Sequence, residues 1–212
     1  MRSGLDNTER RRVLQRLGAG LGAGIWVLDT AAGPQIEEPL SHAVRTALSA
    51  AVAVAAPPAP VLANTAAQQA YDDWQAHASQ RLMRYKKHAA ERQEFLQTLW
   101  YEARRAGLPL SLVLAIVQVE SGFRKYAISS AGARGYMQVM PFWARLIGDG
   151  DDGRLFHMQT NLRFGCVILR HYMDRERGDL FLSLGRYNGS RGQAAYPQAV
   201  LAAQRLWTHA VD

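Results

Sequence analysis

A mainly α-helical domain is the expected fold class, and three observations predict it. Residues 66–106 contain neither glycine nor proline and repeat apolar side chains at helical steps. The run from Leu110 to Phe123 is almost wholly apolar. No stretch sustains the apolar/polar alternation of a half-buried strand, so any sheet is confined to a small hairpin near residues 125–140. The 212 residues, 48% hydrophobic and 20% charged, suit one globular domain with extensions. The expected division is a largely disordered leader over 1–63, a helical segment over 64–106 and a main domain over 107–208.

The leader differs from the rest in composition. Gly18–Leu28 follows the basic run Arg10-Arg11-Arg12 and Arg16, and Ala47–Ala56 follows Arg45 and ends in prolines. Both stretches are too short to span a bilayer, so no stable membrane span is expected. The second has the form of a signal-peptide core with a small-residue cleavage site at Val61-Leu62-Ala63. Its late position suggests a translation start near Val44. The alternative export element is Arg11-Arg12-Val13-Leu14, a poor twin-arginine-like signal. No cysteine follows either stretch, so no lipoprotein anchor is expected.

In the helical segment, Tyr71, Trp74, Ala78, Leu82, Tyr85 and Ala89 recur at steps of three and four, followed by Leu96, Leu99 and Trp100. The spacing predicts one long amphipathic helix or two shorter ones, ended by Gly107 and Pro109. A helix buried on all sides follows and ends at Gly122. Pro141 suits the first turn of a short helix through Ile147. Thr160 is a candidate cap for the helix carrying Leu162, Gly165, Cys166, Leu169, Tyr172 and Met173, and Asp179 for the next. A last helix runs from about Pro197 to Trp207.

One carboxylate stands out. At helical spacing Glu120 shares a face with Val113, Ile116 and Val117. Desolvation there disfavours its charged form, raises its pKa and suits it to general acid work near neutral pH. The other acids sit in turns or helix ends, so no matched second carboxylate accompanies it. Three segments combine glycines with polar, aromatic or thioether groups and are candidates to meet around this carboxylate: Glu120–Phe123, Gly132–Pro141 and Gly185–Ser190.

Glu-Ser-Gly-Phe, Gly-Ala-Arg-Gly-x-Met-Gln-x-Met-Pro, Asn-Leu-Arg-x-Gly and Tyr-Asn-Gly occur here in one order. Their order and spacing resemble the catalytic domain of bacterial lytic transglycosylases of the soluble type, related to goose-type lysozyme. The resemblance covers about Leu108 to Trp207. It implies an α-helical lysozyme-like fold and cleavage of the β-1,4 bond between N-acetylmuramic acid and N-acetylglucosamine in peptidoglycan. It makes Glu120 the single acid/base, with closure of a 1,6-anhydro ring on the muramic acid product. It places Ser121 beside the muramic acid, and Met137 and Gln138 in the substrate groove. It makes Tyr187 the hydroxyl that orients the carboxylate, with Asn188 its groove neighbour. Tyr136 stands where the family commonly has leucine, and Arg186 where it has alanine.

Blander readings stay open. Glu120 could pair with an arginine, Ser121 could end a helix, Met137 and Gln138 could pack, and Tyr187-Asn188 could form a turn. A hydrolase, or an idle wall-binding module that recruits an envelope machine, is the alternative function. The expected partners are glycan strands, with an envelope-machine protein as a further candidate, and the expected state is a monomer in the periplasm or envelope. No cofactor or metal is implied. The acidic turn Asp149–Asp152 lacks the ligands of a calcium loop, and His157 and His171 lack ligand-spaced partners. The formal charge is +7, of which +6 lies from Asn64 onward. It forms no basic block with interleaved aromatics, so nucleic acid is not an expected partner. Cys166 is alone, so no internal disulfide exists, and its stripe position reads as core.

Overall fold

The computed structural model describes residues 35–53 and 62–212. Among them are eight α-helices and one 3₁₀ turn: α1 (His42–Ala53), α2 (Thr65–Leu82), α3 (Ala89–Arg105), α4 (Leu110–Ser121), α5 (Pro141–Ile147), the 3₁₀ turn Asp152–Phe156, α6 (Met158–Arg175), α7 (Leu180–Asn188) and α8 (Ala195–Trp207). The described residues form no strand. The hairpin region contributes only isolated antiparallel bridges, Ile128 to Arg134 and Arg134 to Val139.

The glycine-free segment is two helices. Asn64 caps α2 by accepting from the Ala67 amide at 2.9 Å. The break at 83–88 is made by side chains, not by a helix breaker. Arg92 donates to Ser79 Oγ at 3.0 Å and to the carbonyls of Lys86 and Lys87 at 2.8 Å each. Those bonds satisfy the turn's carbonyls and fold α3 back on α2. Trp74, Tyr71 and Trp100 meet across the pair, with ring centroids 5.0 Å apart for Trp74–Trp100 and 4.8 Å for Tyr71–Trp100.

Helix α4 is the centre of the domain. Leu110 to Val117 are all buried, because α8 packs along one side and α3 along another. The Asp212 carboxylate accepts from the Ser111 amide at 2.8 Å and so occupies one of the donors at the helix start. The helix ends where Gly122 turns left-handed at φ 55°. Pro141 opens α5 as expected, and Asp179 caps α7 by accepting from the Leu182 amide at 2.9 Å. Thr160 does not cap α6. The 3₁₀ turn feeds straight into that helix, which therefore begins three residues earlier, with His157 in the cap position.

Part of the stretch read as leader is folded onto the body. Helix α1 lies against α5 and α6, with Leu48 in the core. Trp143 Nε1 donates to Gln35 Oε1 at 2.9 Å, and Arg105 donates to the Ala51 carbonyl. Residues 1–34 and 54–61, with the Gly18–Leu28 stretch, the Arg11–Leu14 signal and Val61 of the expected cleavage site, lie outside the described residues. No described helix is long and apolar enough to cross a membrane.

A buried ion pair ties α3 to α6. Arg163 Nη2 and Nε reach Glu102 Oε1 at 2.7 and 3.0 Å, and both side chains are nearly withdrawn from solvent. Removing one partner leaves a buried charge poorly compensated. Glu102→Ala is therefore expected to lower unfolding free energy by about 3 kcal/mol in urea titrations. A loss under ~1 kcal/mol would mean that water reaches Arg163.

Candidate active site

The loop after α4 is anchored by one side chain from α6. Asn161 Oδ1 accepts from the Met137 amide at 2.8 Å, and its Nδ2 donates to the carbonyls of Arg134 and Leu155, each at 2.8 Å. Asn161 is fully buried, so these backbone groups have no water to turn to. The approach is too close for side chains at two glycines. A Cβ at Gly135 would stand 2.4 Å from Asn161 Nδ2, and one at Gly165, a turn further along α6, 2.3 Å from Met137 Sδ. The motif glycines are thus contact surfaces: Gly135 lets the loop reach the asparagine, and Gly165 makes room for Met137.

Glu120 sits in the last turn of α4, and part of its side chain stays open to solvent. Burial nevertheless pushes its carboxyl up to about 8, opposed by a hydrogen bond from Tyr196. The Tyr196 hydroxyl donates to Glu120 Oε1 at 2.6 Å. Burial, and the nearby Glu120 carboxylate, hold that phenol well above its ordinary pKa, so it remains a donor. With Oε1 engaged, Oε2 is the oxygen left to carry a transferable proton.

The structure corrects the role expected for Tyr187. Its hydroxyl donates to the Met137 carbonyl at 2.7 Å and not to Glu120. The carboxylate's partner is Tyr196, which the sequence reading missed. It lies 76 residues away on α8, at the head of the buried stripe Tyr196, Val200, Ala203 and Trp207. That stripe was a legible signal for a helix packed on α4. The tyrosine at its head is the one residue of the stripe with a hydroxyl.

The contacts of the other expected residues are with the loop backbone, the core and neighbouring side chains. The Ser121 hydroxyl is buried, 2.8 Å from the Tyr136 carbonyl and 3.0 Å from that of Val117, so it ties α4 to the loop. Met137 is buried in the core. Gln138 takes a left-handed backbone at φ 49°, and its Nε2 donates to the Gly135 and Ala127 carbonyls at 2.9 and 3.2 Å. Asn188 Oδ1 accepts from Ser190 Oγ at 2.8 Å. Cys166 is buried against the same core and its thiol is pushed up by burial, which leaves it unreactive. Among the described residues no cluster of His, Cys, Asp or Glu could hold a metal ion. Two cavities, of about 630 and 410 Å³, lie under α1, and Glu120 lines neither.

Residues 98–202 match the model of the transglycosylase SLT domain. This segment belongs to that family. The SLT segment of this chain is 35% identical over 119 residues to a membrane-bound lytic murein transglycosylase C of Histophilus somni, covering 49% of this chain and 33% of the relative. A namesake from Actinobacillus pleuropneumoniae is 37% identical over 84 residues, 36% of this chain and 23% of the relative. A transglycosylase of enterobacteria phage PRD1 is 31% identical over 101 residues, 48% of this chain and 37% of the relative. The chain thus spans about a third of the length of these curated relatives or less. A solved structure of lytic transglycosylase Slt, an inactive mutant from Pseudomonas aeruginosa, superposes with a TM-score of 0.48 at 24% identity, covering 66% of this chain and 29% of that one.

Three outcomes follow from this geometry. Asn161→Ala orphans one buried amide and two buried carbonyls, and is expected to cost about 3 kcal/mol in chemical denaturation. Asn161→Asp keeps the acceptor and loses both donors, so it should be no milder. Tyr196→Phe removes the bond that favours charged Glu120, so the carboxyl's pKa rises further. The basic limb of a pH–rate profile should then move to higher pH; a shift to lower pH would show that Tyr196 acts in some other way.

Proposed function

We propose that this protein is a peptidoglycan lytic transglycosylase in which Glu120 acts first as acid and then as base. The observation that carries this reading is the Glu120 carboxyl in the last turn of α4, held by the Tyr196 hydroxyl at 2.6 Å and pushed up to about 8 by burial. Ordinary glycosidases set two carboxylates across the scissile bond. A single one suffices when the sugar supplies the nucleophile. Protonated Glu120 donates its proton to the glycosidic oxygen, and the bond to the N-acetylglucosamine unit breaks. The muramic acid 2-acetamido group stabilises the cationic centre. Charged Glu120 then takes the proton of the C6 hydroxyl as that oxygen closes the 1,6-anhydro ring. The carboxyl ends as it began and no water is consumed. A carboxyl near 8 is protonated at neutral pH for the first step and close enough to titration to reverse for the second.

The names of the Histophilus and Actinobacillus relatives, which specify murein, support the substrate. In this reading residues 107–208 carry the chemistry and 64–106 brace it. Ser121, Met137, Gln138, Tyr187 and Asn188 shape the substrate groove around the carboxyl. The enzyme works in the cell envelope. The packing of α1 on the body favours Gly18–Leu28, with its preceding arginines, as the export element over Ala47–Ala56.

Digestion of purified sacculi with mass analysis of products tests the reaction. Anhydro-muropeptides are expected; products with only reducing ends would identify a hydrolase. Glu120→Gln should lose at least two orders of magnitude in turnover. It should also change stability in a set direction. The folded carboxyl keeps its proton to about pH 8, whereas the unfolded one loses it near 4.5. The folded state therefore binds more protons across that window, and wild-type stability falls as pH rises through it. The Gln variant escapes this loss, so its thermal midpoint should exceed wild type increasingly above about pH 5 and converge with it at lower pH. A gap independent of pH would mean that Glu120 titrates as an ordinary acid.

A further inference from the structure

Two charged contacts reach the site from segments outside the SLT match. The first comes from the turn between α2 and α3. Lys86 Nζ donates to Tyr136 Oη at 2.8 Å and lies over the rings of Tyr136 and Phe95, 4.9 and 5.7 Å from their centroids. Lys86 is itself fixed, since its carbonyl accepts from Arg92. Tyr136 in turn takes the Ser121 hydroxyl on its own carbonyl and precedes Met137.

The second contact comes from the segment before α1. Glu38 pairs with Arg186 and Arg175. Arg186 Nε also donates to Glu176 Oε1 at 2.6 Å. Arg191 reaches the same Glu176 at 2.8 and 2.9 Å, and the two arginines hold that carboxyl down at about 2. Arg186 precedes Tyr187, whose hydroxyl holds the Met137 carbonyl.

Each N-terminal segment therefore grips the neighbour of a site residue, and the two site residues are bonded to each other. Tyr136 supplies the acceptor for Lys86, and Arg186 supplies the cation for Glu38.

We propose that residues 35–53 and the 83–88 turn form a clamp on the Met137–Tyr187 bond, with Glu38 and Lys86 as positioning residues for the reaction at Glu120. The clamp holds the loop and α7 together from outside residues 98–202, so the groove's shape depends on segments that the SLT match does not include. Its catalytic consequence rests on the proposed function, while its mechanical consequence does not. Loss of Glu38 leaves Arg186 held by Glu176, and loss of Lys86 leaves Tyr136 packed on Phe95. Either change therefore loosens geometry without unfolding the domain.

Hydrogen–deuterium exchange on the full chain tests the clamp directly. Glu38→Gln is expected to speed exchange several-fold in residues 186–192, and Lys86→Met in residues 134–140, with α4 and α8 unchanged and Lys86→Arg restoring protection. On sacculi, both variants should lower kcat about ten-fold with KM within about two-fold of wild type. Unchanged exchange, or a uniform rise across the chain, overturns the clamp. Local loosening with unaltered turnover overturns the positioning role. Local loosening in a protein whose wild type yields no anhydro product leaves the clamp standing and refutes the reaction instead.

Discussion

The structure depends most on the side-chain amide of Asn161. It satisfies three backbone groups in and beside an irregular loop from the domain's centre. The loop from Arg134 to Gln138 has almost no sheet to bond with, and two of its backbone polar groups face a core without water. Asn161 answers both, plus the Leu155 carbonyl, with three bonds of 2.8 Å. Because that amide is rigidly packed on α6, the loop inherits the helix's position. Gly135 and Gly165 follow from the same contact, since any side chain at either would push loop and helix apart. Once the loop is set, the Met137 carbonyl meets Tyr187 and the Tyr136 carbonyl meets Ser121. Three motifs thus converge on α4 through backbone groups, not through side chains that reach the carboxyl.

Glu120 exploits this rigidity. A carboxyl at about 8 is costly to keep charged, and a soft surrounding would relax or admit water to relieve it. Here the last turn of α4 is held by α8 on one side and by the anchored loop on the other. Tyr196 supplies one hydrogen bond, enough to orient the group and too little to bring it back to an ordinary acid. Burial sets the protonation state and the phenol sets the geometry.

Much of this was legible in the chain. The apolar run of α4, the proline that opens α5 and the Asp179 cap were local signals and appear where local physics puts them. The raised pKa of Glu120 followed from its neighbours on one helix. The spacing over 66–106 left one helix or two open, and the bonds of Arg92 to Ser79, Lys86 and Lys87 decided for two. Other expectations failed where another part of the chain supplied the decisive contact. The 3₁₀ turn before Met158 took Thr160 out of the cap position. The segment before residue 54 looked like a leader from its alanines, yet Gln35, Glu38 and Leu48 have partners on the body.

By itself the sequence determined the helical class, the buried acid and the family of the segment around it. Those properties depend on side-chain period, on desolvation by near neighbours and on short motifs. The tertiary structure decided that Tyr196, not Tyr187, holds the carboxyl, and that Ser121 and Gln138 serve the loop's backbone. It also decided that Lys86 and Glu38 reach the site's edge. Each is a contact between residues far apart in the chain, and only the packing of helices fixes which hydroxyl or charge comes within 3 Å of which partner.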